Sequence, residues 1–202
     1  MNTNIFENSK IRKVALGIAG LAFVGGVTVG PAITASLDDT ARSMAPVAAL
    51  AAEKPEMAKL VPHGVQGAQQ DVDWNAEQKA NAKAIIEATK ANGLGERAAV
   101  IAVATAMQES TLTNFGHLGD RNDHDSQGLF QQRPSSGWGS VEQITDPRYA
   151  TSAFLKALKQ VDGWEEMPLT AAAQTVQVSA FPDHYAKWEQ AAAELVAEHW
   201  AS

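Results

Sequence analysis

The residues with the clearest chemical potential are Glu109 and Ser110, which end an apolar helical run and are followed by the sequence Gly128-Leu129-Phe130-Gln131. A carboxyl group at this place loses hydration and faces the negative end of the helix dipole, so we expect its pKa to rise. Such a group can donate a proton near neutral pH. The alternative is that Glu109 extends into solvent beyond the last helical turn.

A long polar connection from Thr111 to Ser140 follows Glu109. Connections of this length in compact domains are usually functional. Amide side chains both donate to and accept from sugar hydroxyl and acetamido groups. The indole of Trp138 offers a flat face to a sugar ring, or else packs the loop against the core. The composition favours a carbohydrate ligand, and the polar residues concerned are Asn114, Asp120, Arg121, Asn122, Asp123, His124, Asp125, Ser126, Gln127, Gln131 and Gln132.

Two metal chemistries compete for the same loop. Residues 123–128 resemble the start of a calcium loop, but the twelfth position is Pro134 instead of a glutamate. His117, Asp120 and His124 could bind zinc, yet their spacing matches no known zinc motif. We therefore expect no metal and no other cofactor.

Helices must position these residues, because no stretch shows sustained apolar alternation of the strand kind. The sequence predicts an all-α domain with at most a small hairpin. In the segment from Glu96 to Gln108, residues 98–107 carry no charge, which predicts a central helix surrounded by others. The other predicted helices run from the capping box of Asn75 and Gln78 to Asn92-Gly93, as a short turn at Ser140 with Gln143, from Pro147 to Asp162-Gly163, from Pro168 to Ser179, and from Asp183 to Trp200.

The two long helices after the loop carry apolar stripes at helical spacing. Such stripes indicate packing against a core more often than a cofactor site. They comprise Ala150, Phe154, Leu158 and Val161 in the first helix, and Tyr185, Trp188, Ala192, Leu195 and His199 in the last.

Three short motifs, in this order and spacing, resemble the catalytic domain of lytic transglycosylases and goose-type lysozymes. They are residues 106–110 (AMQES), 126–131 (SQGLFQ) and 178–181 (VSAF). The resemblance covers roughly Arg97 to Trp188 and implies a lysozyme-like helical domain. Phe130 replaces the methionine of the family's second motif. In the third motif Ser179 stands where the family has an asparagine, and Phe181 where it has a glycine.

The resemblance implies a peptidoglycan-cleaving enzyme. Glu109 would donate a proton to the glycosidic oxygen between N-acetylmuramic acid and N-acetylglucosamine and then act as a base. Ser110 and Gln131 would orient the acid and the sugar. Gln132, Trp138 and Ser179 complete the candidate substrate-binding residues.

The second chemical step remains open at the level of sequence. Lytic transglycosylases close the muramic ring on itself without a second protein carboxylate, whereas a hydrolase commonly uses one. Asp120, Asp123 and Asp125 could supply it, although for any single one of them a solvated loop charge or a turn cap is the favoured interpretation. The substitution at Ser179 favours an alternative of another class, a noncatalytic wall-binding or scaffold domain of lysozyme-like shape.

The chain begins with a basic segment and an apolar stretch from Val14 to Val24. This pattern predicts a signal peptide over residues 1–35, or an uncleaved membrane anchor if the apolar stretch continues to Ala35. Residues 36–72, rich in Ala, Pro and Glu, predict a disordered linker, and residues 73–202 the folded domain. We therefore expect a bacterial protein that is secreted or associated with the cell envelope, and whose contact with membrane is confined to its N-terminal segment.

The charge balance and the absence of cysteine narrow the partners. A net charge of -7 argues against nucleic acid and favours a neutral or mixed-charge ligand such as peptidoglycan glycan strands. Without cysteine the chain has no disulfide, no lipid-bearing cysteine and no thiolate metal site. The oligomeric state does not follow from the sequence.

Overall fold

The structure, a computed structural model, describes residues 54–179 and 181–202. Within these residues the fold is all-α, and an isolated bridge between Gln127 and Gln132 is the β-type pairing present. The all-α prediction is thus confirmed. The predicted leader over residues 1–35 and the linker up to residue 53 lie outside the described residues. None of the helices in the described ranges is both long and apolar enough to cross a membrane.

Seven α-helices and four short 3-10 helices follow one another in the described ranges. The α-helices are α1 (Met57–Leu60), α2 (Ala76–Ala91), α3 (Glu96–Ser110), α4 (Val141–Ile144), α5 (Pro147–Leu158), α6 (Leu169–Gln177) and α7 (Glu189–His199). The 3-10 helices are Gly119–Arg121, Pro134–Ser136, Trp164–Glu166 and Ala186–Trp188.

The helix starts follow from local sequence. Asn75 and Gln78 form a reciprocal capping box at the start of α2, and Ser140 and Gln143 form another at α4. Asp146 accepts a hydrogen bond from the Tyr149 amide, and proline occupies the first position of α5. All three predicted starts are confirmed, because a cap needs only neighbouring residues.

Helix α3 is the centre of the domain. Residues 98–107 are all buried, and α3 packs against α1, α2, α5, α6 and α7. A helix enclosed on every side has no use for a charged face, which explains its composition. The prediction of a central helix is confirmed. Because α3 is held in the core, the position of its last turn is fixed as well.

A buried ion pair ties the first turn of α3 to its neighbours. The Arg97 Nη1 atom lies 2.7 Å from Glu189 Oε1 in α7 and donates to the Leu60 carbonyl at 2.9 Å. Its Nη2 atom donates to the Met167 carbonyl at 3.2 Å. Removing one partner would leave a buried charge unpaired, so this cluster fixes α1 and α7 against α3.

Residues 54–72 differ from the disordered linker predicted for them. They contain α1, whose Leu60 is completely buried in the core. Further along, the backbone amide of Gln70 donates a hydrogen bond of 2.8 Å to the Lys187 carbonyl. The low aromatic content suggested a tether, but buried Leu60, the partly buried Val61 and Val72 and a few backbone hydrogen bonds dock this segment on the core.

Three helices are shorter than the sequence predicts. Helix α5 ends at Leu158, because the next turn tightens into bonds between residues three apart. Helix α6 ends at Gln177, because Val178 adopts the left-handed conformation. Helix α7 begins at Glu189, since the chain before it runs through turns and a 3-10 helix. That irregular approach places Tyr185 against α3.

Candidate active site

Glu109 lies on the last turn of α3, half-buried, at the edge of a cleft. Its Oε1 atom accepts a hydrogen bond of 2.7 Å from the hydroxyl of Tyr185. Because the preceding turns of α3 are enclosed in the core, the position of this carboxyl group is set by the whole domain.

The pKa of Glu109 is raised above its ordinary value, chiefly because burial removes water from the carboxylate. Hydrogen-bond donors on Tyr185 and Gln177 stabilise the charged form and oppose this rise. The sequence predicted a raised pKa, and the dominant cause is the predicted desolvation. A carboxyl group in this state can hold a proton closer to neutrality than a surface glutamate can.

Tyr185 supports the carboxyl group from the segment before α7. The Tyr185 side chain is completely buried. This burial, together with the neighbouring Glu109 carboxylate, raises the pKa of Tyr185. The tyrosine therefore stays a hydrogen-bond donor at neutral pH. A second bond from the same segment joins Trp188 Nε1 to Gln108 Oε1 at 3.0 Å. Sequence reasoning assigned Tyr185 to the core; its signal was a polar group within an otherwise apolar stripe.

The cleft beside Glu109 has a volume of about 500 Å³. Two groups of side chains line it besides Glu109. The loop wall consists of Asp123, Ser126, Gln131, Arg133, Ser136 and Trp138. The α6 wall consists of Gln177, Val178, Ser179 and Phe181.

The loop wall folds back on itself to present Gln131. The backbone amides of Gln127 and Gln132 each donate to the other residue's backbone carbonyl, at 3.0 and 3.1 Å, and Gly128 lies in the turn between them. Gln131 adopts a positive φ of 47°, its Nε2 atom donates to the Gly128 carbonyl, and its Oε1 atom accepts from the Ser126 hydroxyl. Gln131, which is predicted to bind substrate, is therefore held in the cleft by its own loop.

Ser110 and Gln132 lie in the protein interior and do not line the cleft. The Ser110 hydroxyl bonds to the carbonyls of Ala106 and Leu129, at 3.0 and 2.8 Å. The Gln132 Nε2 atom donates to the Ala150 carbonyl at 3.1 Å, and its buried Oε1 atom has no hydrogen-bond partner within residues 54–179 and 181–202. In this geometry both residues, predicted to bind substrate, fix the loop wall to the helices.

The three candidate second carboxylates separate. Asp120 is exposed and outside the cleft. Asp125 bonds to Arg133 Nε, and to the amide and hydroxyl of Ser135, which together hold the pKa of Asp125 far below its ordinary value. Asp123 lines the cleft, largely exposed, with its Oδ1 atom 2.7 Å from His124 Nδ1. Asp123 is therefore the aspartate of the three that the structure brings to Glu109's cleft.

Trp138 is half-exposed and stands between two clefts. It contributes to the loop wall and also to a second cleft of about 340 Å³, beside Tyr149 and Lys156. Of the two sequence alternatives, a ring available to a ligand fits this position better than a ring packed into the core.

The α6 wall contains the predicted residue Ser179. Its Oγ atom accepts from the amide of Phe181 at 3.2 Å, and its carbonyl accepts from Gln174 Nε2. Gln177 donates to the Phe130 carbonyl at 2.9 Å, which joins the α6 wall to the loop. Sequence reasoning missed Gln177, since a glutamine near a helix end carries no signal until the opposite wall is known.

The loop residues considered for metals do not converge. No group of three His, Asp or Glu side chains within residues 54–179 and 181–202 is arranged to hold a metal ion. His117, Asp120 and His124, the candidate zinc ligands, are all exposed at the surface of the loop.

Neither a family model nor a curated protein matches this sequence.

Proposed function

We propose that this protein cleaves the glycan strands of bacterial peptidoglycan between N-acetylmuramic acid and N-acetylglucosamine. The observation that carries the proposal is the half-buried carboxyl group of Glu109, with a raised pKa, at a polar cleft of about 500 Å³. The motifs that resemble lytic transglycosylases and goose-type lysozymes supply the substrate class. An exported location, secreted or at the cell envelope, belongs to the same proposal.

The mechanism needs Glu109 in two protonation states. Its neutral form donates a proton to the glycosidic oxygen as the bond to the muramic carbon breaks. The resulting carboxylate then accepts a proton from the nucleophile, either a hydroxyl of the muramic residue or water. Tyr185, which donates at 2.7 Å, stabilises that carboxylate in the second step.

The cleft walls provide contacts suited to sugar rings. Gln131 and Gln177 present amides, which can both donate to and accept from hydroxyl and acetamido groups. Trp138 lines the loop wall and Phe181 the α6 wall; Phe181 is 60% exposed and stacks one ring face on His184. Stacking of sugar rings on exposed aromatic faces would use both walls together.

Two outcomes of the second step are distinguished by product. A ring closure by the muramic residue itself leaves anhydro ends and requires no second carboxylate. Hydrolysis leaves reducing ends, and Asp123 is then the aspartate in place to activate water. The single-glutamate route is the one that the family resemblance favours. Mass spectrometry of digested peptidoglycan separates the two.

The deciding experiment compares Glu109→Gln with the wild type in release of soluble muropeptides. We expect the substitution to abolish release, with a loss of about 1000-fold or more, while helical circular dichroism is unchanged. Glu165→Gln, at an exposed glutamate outside the cleft, is the matched control and should keep full activity. Release that persists in Glu109→Gln would overturn the assignment.

A noncatalytic wall-binding domain is the second candidate. It is favoured by Ser179, which replaces the family's asparagine and whose hydroxyl is already bonded to the Phe181 amide. Sedimentation of the wild type with insoluble peptidoglycan, without any soluble product, would support this function over cleavage.

A further inference from the structure

Arg133 is the cationic side chain among the residues that line the cleft in the described part of the chain. The other charged side chains of that lining are the carboxyl groups of Glu109 and Asp123. A glycan without charge has no need of a guanidinium at this place. The position of Arg133 therefore bears on which glycan the cleft prefers.

Arg133 is held in place on one edge. Its Nε atom donates to Asp125 Oδ1 at 2.9 Å, and Asp125 is itself held by the amide and hydroxyl of Ser135, at 2.7 and 2.8 Å. The Arg133 carbonyl accepts from the amides of Ser136 and Trp138. The backbone of Arg133 and the inner edge of its guanidinium are thus fixed before any ligand arrives.

The outer edge of the guanidinium remains available to a ligand. Within residues 54–179 and 181–202 the terminal amino groups of Arg133 make no hydrogen bond to protein. The side chain is 36% exposed, so those groups are reachable from the cleft. A planar pair of N–H donors matches the two oxygens of a carboxylate, and a fixed fork loses little freedom on binding.

We propose that Arg133 binds a carboxylate carried by the glycan strand, so that the cleft prefers acidic strands to neutral ones. The inference rests on the proposed function for the nature of the strand. Two sources offer the same chemistry: the lactyl carboxylate of muramic acid after removal of its peptide, and the carboxylates of an attached peptide. Asp123 does not oppose this binding strongly, because its side chain is 84% exposed and its charge is screened by solvent.

The test measures binding and cleavage on paired substrates. Peptide-free strands with lactyl carboxylates are compared with the same strands after amidation, and peptide-bearing strands with their own amidated form. We expect the wild type to bind one or both acidic forms about tenfold more tightly than the matching neutral form. The pair that responds identifies the source of the carboxylate.

Two substitutions assign the preference to Arg133. Arg133→Gln should reduce the ratio of the two affinities to about one, and Arg133→Lys should restore only part of it, because an ammonium cannot form the planar fork. Thermal unfolding should change little, since solvent screens a partly exposed ion pair and such a pair contributes little to stability. Asp125→Asn, which frees the guanidinium but keeps its charge, should weaken the preference less than Arg133→Gln.

The outcomes separate this inference from the proposed function. Equal wild-type affinity for acidic and neutral strands, or a preference that survives in Arg133→Gln, would overturn the role of Arg133 even if cleavage occurs. A preference lost in Arg133→Gln without any cleavage by the wild type would support the carboxylate site and overturn the enzymatic function. Failure to bind any of the strands would overturn both.

Discussion

The two walls of the cleft are held in different ways. The loop wall is anchored from beneath by Leu129 and Phe130, both buried, and by the bond from the Ser110 hydroxyl to the Leu129 carbonyl. In the α6 wall the side chains of Val178 and Phe181 are 79% and 60% exposed. The comparison teaches that the loop wall is fixed to the core through Ser110, the residue next to the proposed acid, while the exposed α6 wall offers contact area.

The physical origin of this difference lies in what each chain segment buries. The chain segment of the loop wall contains Phe130, whose ring stacks on Phe154 of α5 at a centroid distance of 5.1 Å. The α6 wall begins where Val178 leaves the helix at a φ of 51°, a conformation that costs a β-branched residue free energy. We expect substitutions in the two walls to have opposite signatures, stability in the first and affinity in the second.

The largest effect is expected for Gly128→Ala in the loop wall. A Cβ atom there would overlap the Ile144 carbonyl oxygen, and the φ of +79° already disfavours alanine. We expect a loss of about 3 kcal/mol in the free energy of unfolding, measured by denaturant titration. Gly137→Ala is the control, because its φ of +84° is similar but no atom lies within 4 Å of the added Cβ. An equal cost at both positions would show that the overlap with the Ile144 carbonyl oxygen adds nothing to the cost of a left-handed alanine.

Ser110→Ala should have the next largest effect. It leaves the buried Leu129 carbonyl without its donor at 2.8 Å, so we expect about 2 kcal/mol of destabilisation. Because Ser110 is buried outside the cleft, the affinity for glycan should change little once the protein is folded. A stable variant with sharply weakened affinity would instead make Ser110 a substrate ligand and break the comparison.

Tyr185→Phe tests the acid itself through pH dependence. Loss of the donor at 2.7 Å removes a group that lowers the pKa of Glu109, so the pKa of Glu109 should rise further. Activity that needs protonated Glu109 falls as pH rises through this pKa, so the falling limb of the pH profile should move to higher pH. We expect the maximal rate to drop about tenfold, because the carboxylate is less stabilised. Tyr149→Phe, at a tyrosine outside this cleft, should leave the profile in place.

The smallest change in stability is expected for Phe181→Ala in the exposed α6 wall. Its effect on the free energy of unfolding should stay within about 0.5 kcal/mol, because so much of the ring is in solvent. The KM for glycan should rise about fivefold to tenfold from the loss of one aromatic contact. A large loss of stability with an unchanged KM would mean that this wall is structural and that the contrast between the walls is wrong.

Much of the helical scaffold could be predicted from sequence. The capping pairs Asn75–Gln78 and Ser140–Gln143 and the Asp146-Pro147 start are interactions between near neighbours, so they need no knowledge of the fold. The absence of charge in residues 98–107 predicted that they would be buried. Gln131, Trp138 and Ser179 were also predicted at the site, and all three line the cleft.

Other parts of the site depend on contacts between distant segments. Tyr185 and Gln177 meet Glu109 only because α6 and the approach to α7 pack across the end of α3. Other long-range contacts turned Ser110 and Gln132 inward, and docked residues 54–72 on the core through Leu60. Apart from the hydroxyl of Tyr185 within a mainly apolar stripe, no local pattern distinguishes these residues from their neighbours.

The sequence by itself determined where the capped helices begin, the buried course of α3 and the placement of a carboxyl group at its end. These follow from periodicity and capping, which act over a few residues. Tertiary structure alone decided which side chains face that carboxyl group, which of three aspartates shares its cleft, and that Arg133 lines it. The physical reason is that desolvation and hydrogen bonding at a site are set by whatever packs around it, and those partners lie far along the chain.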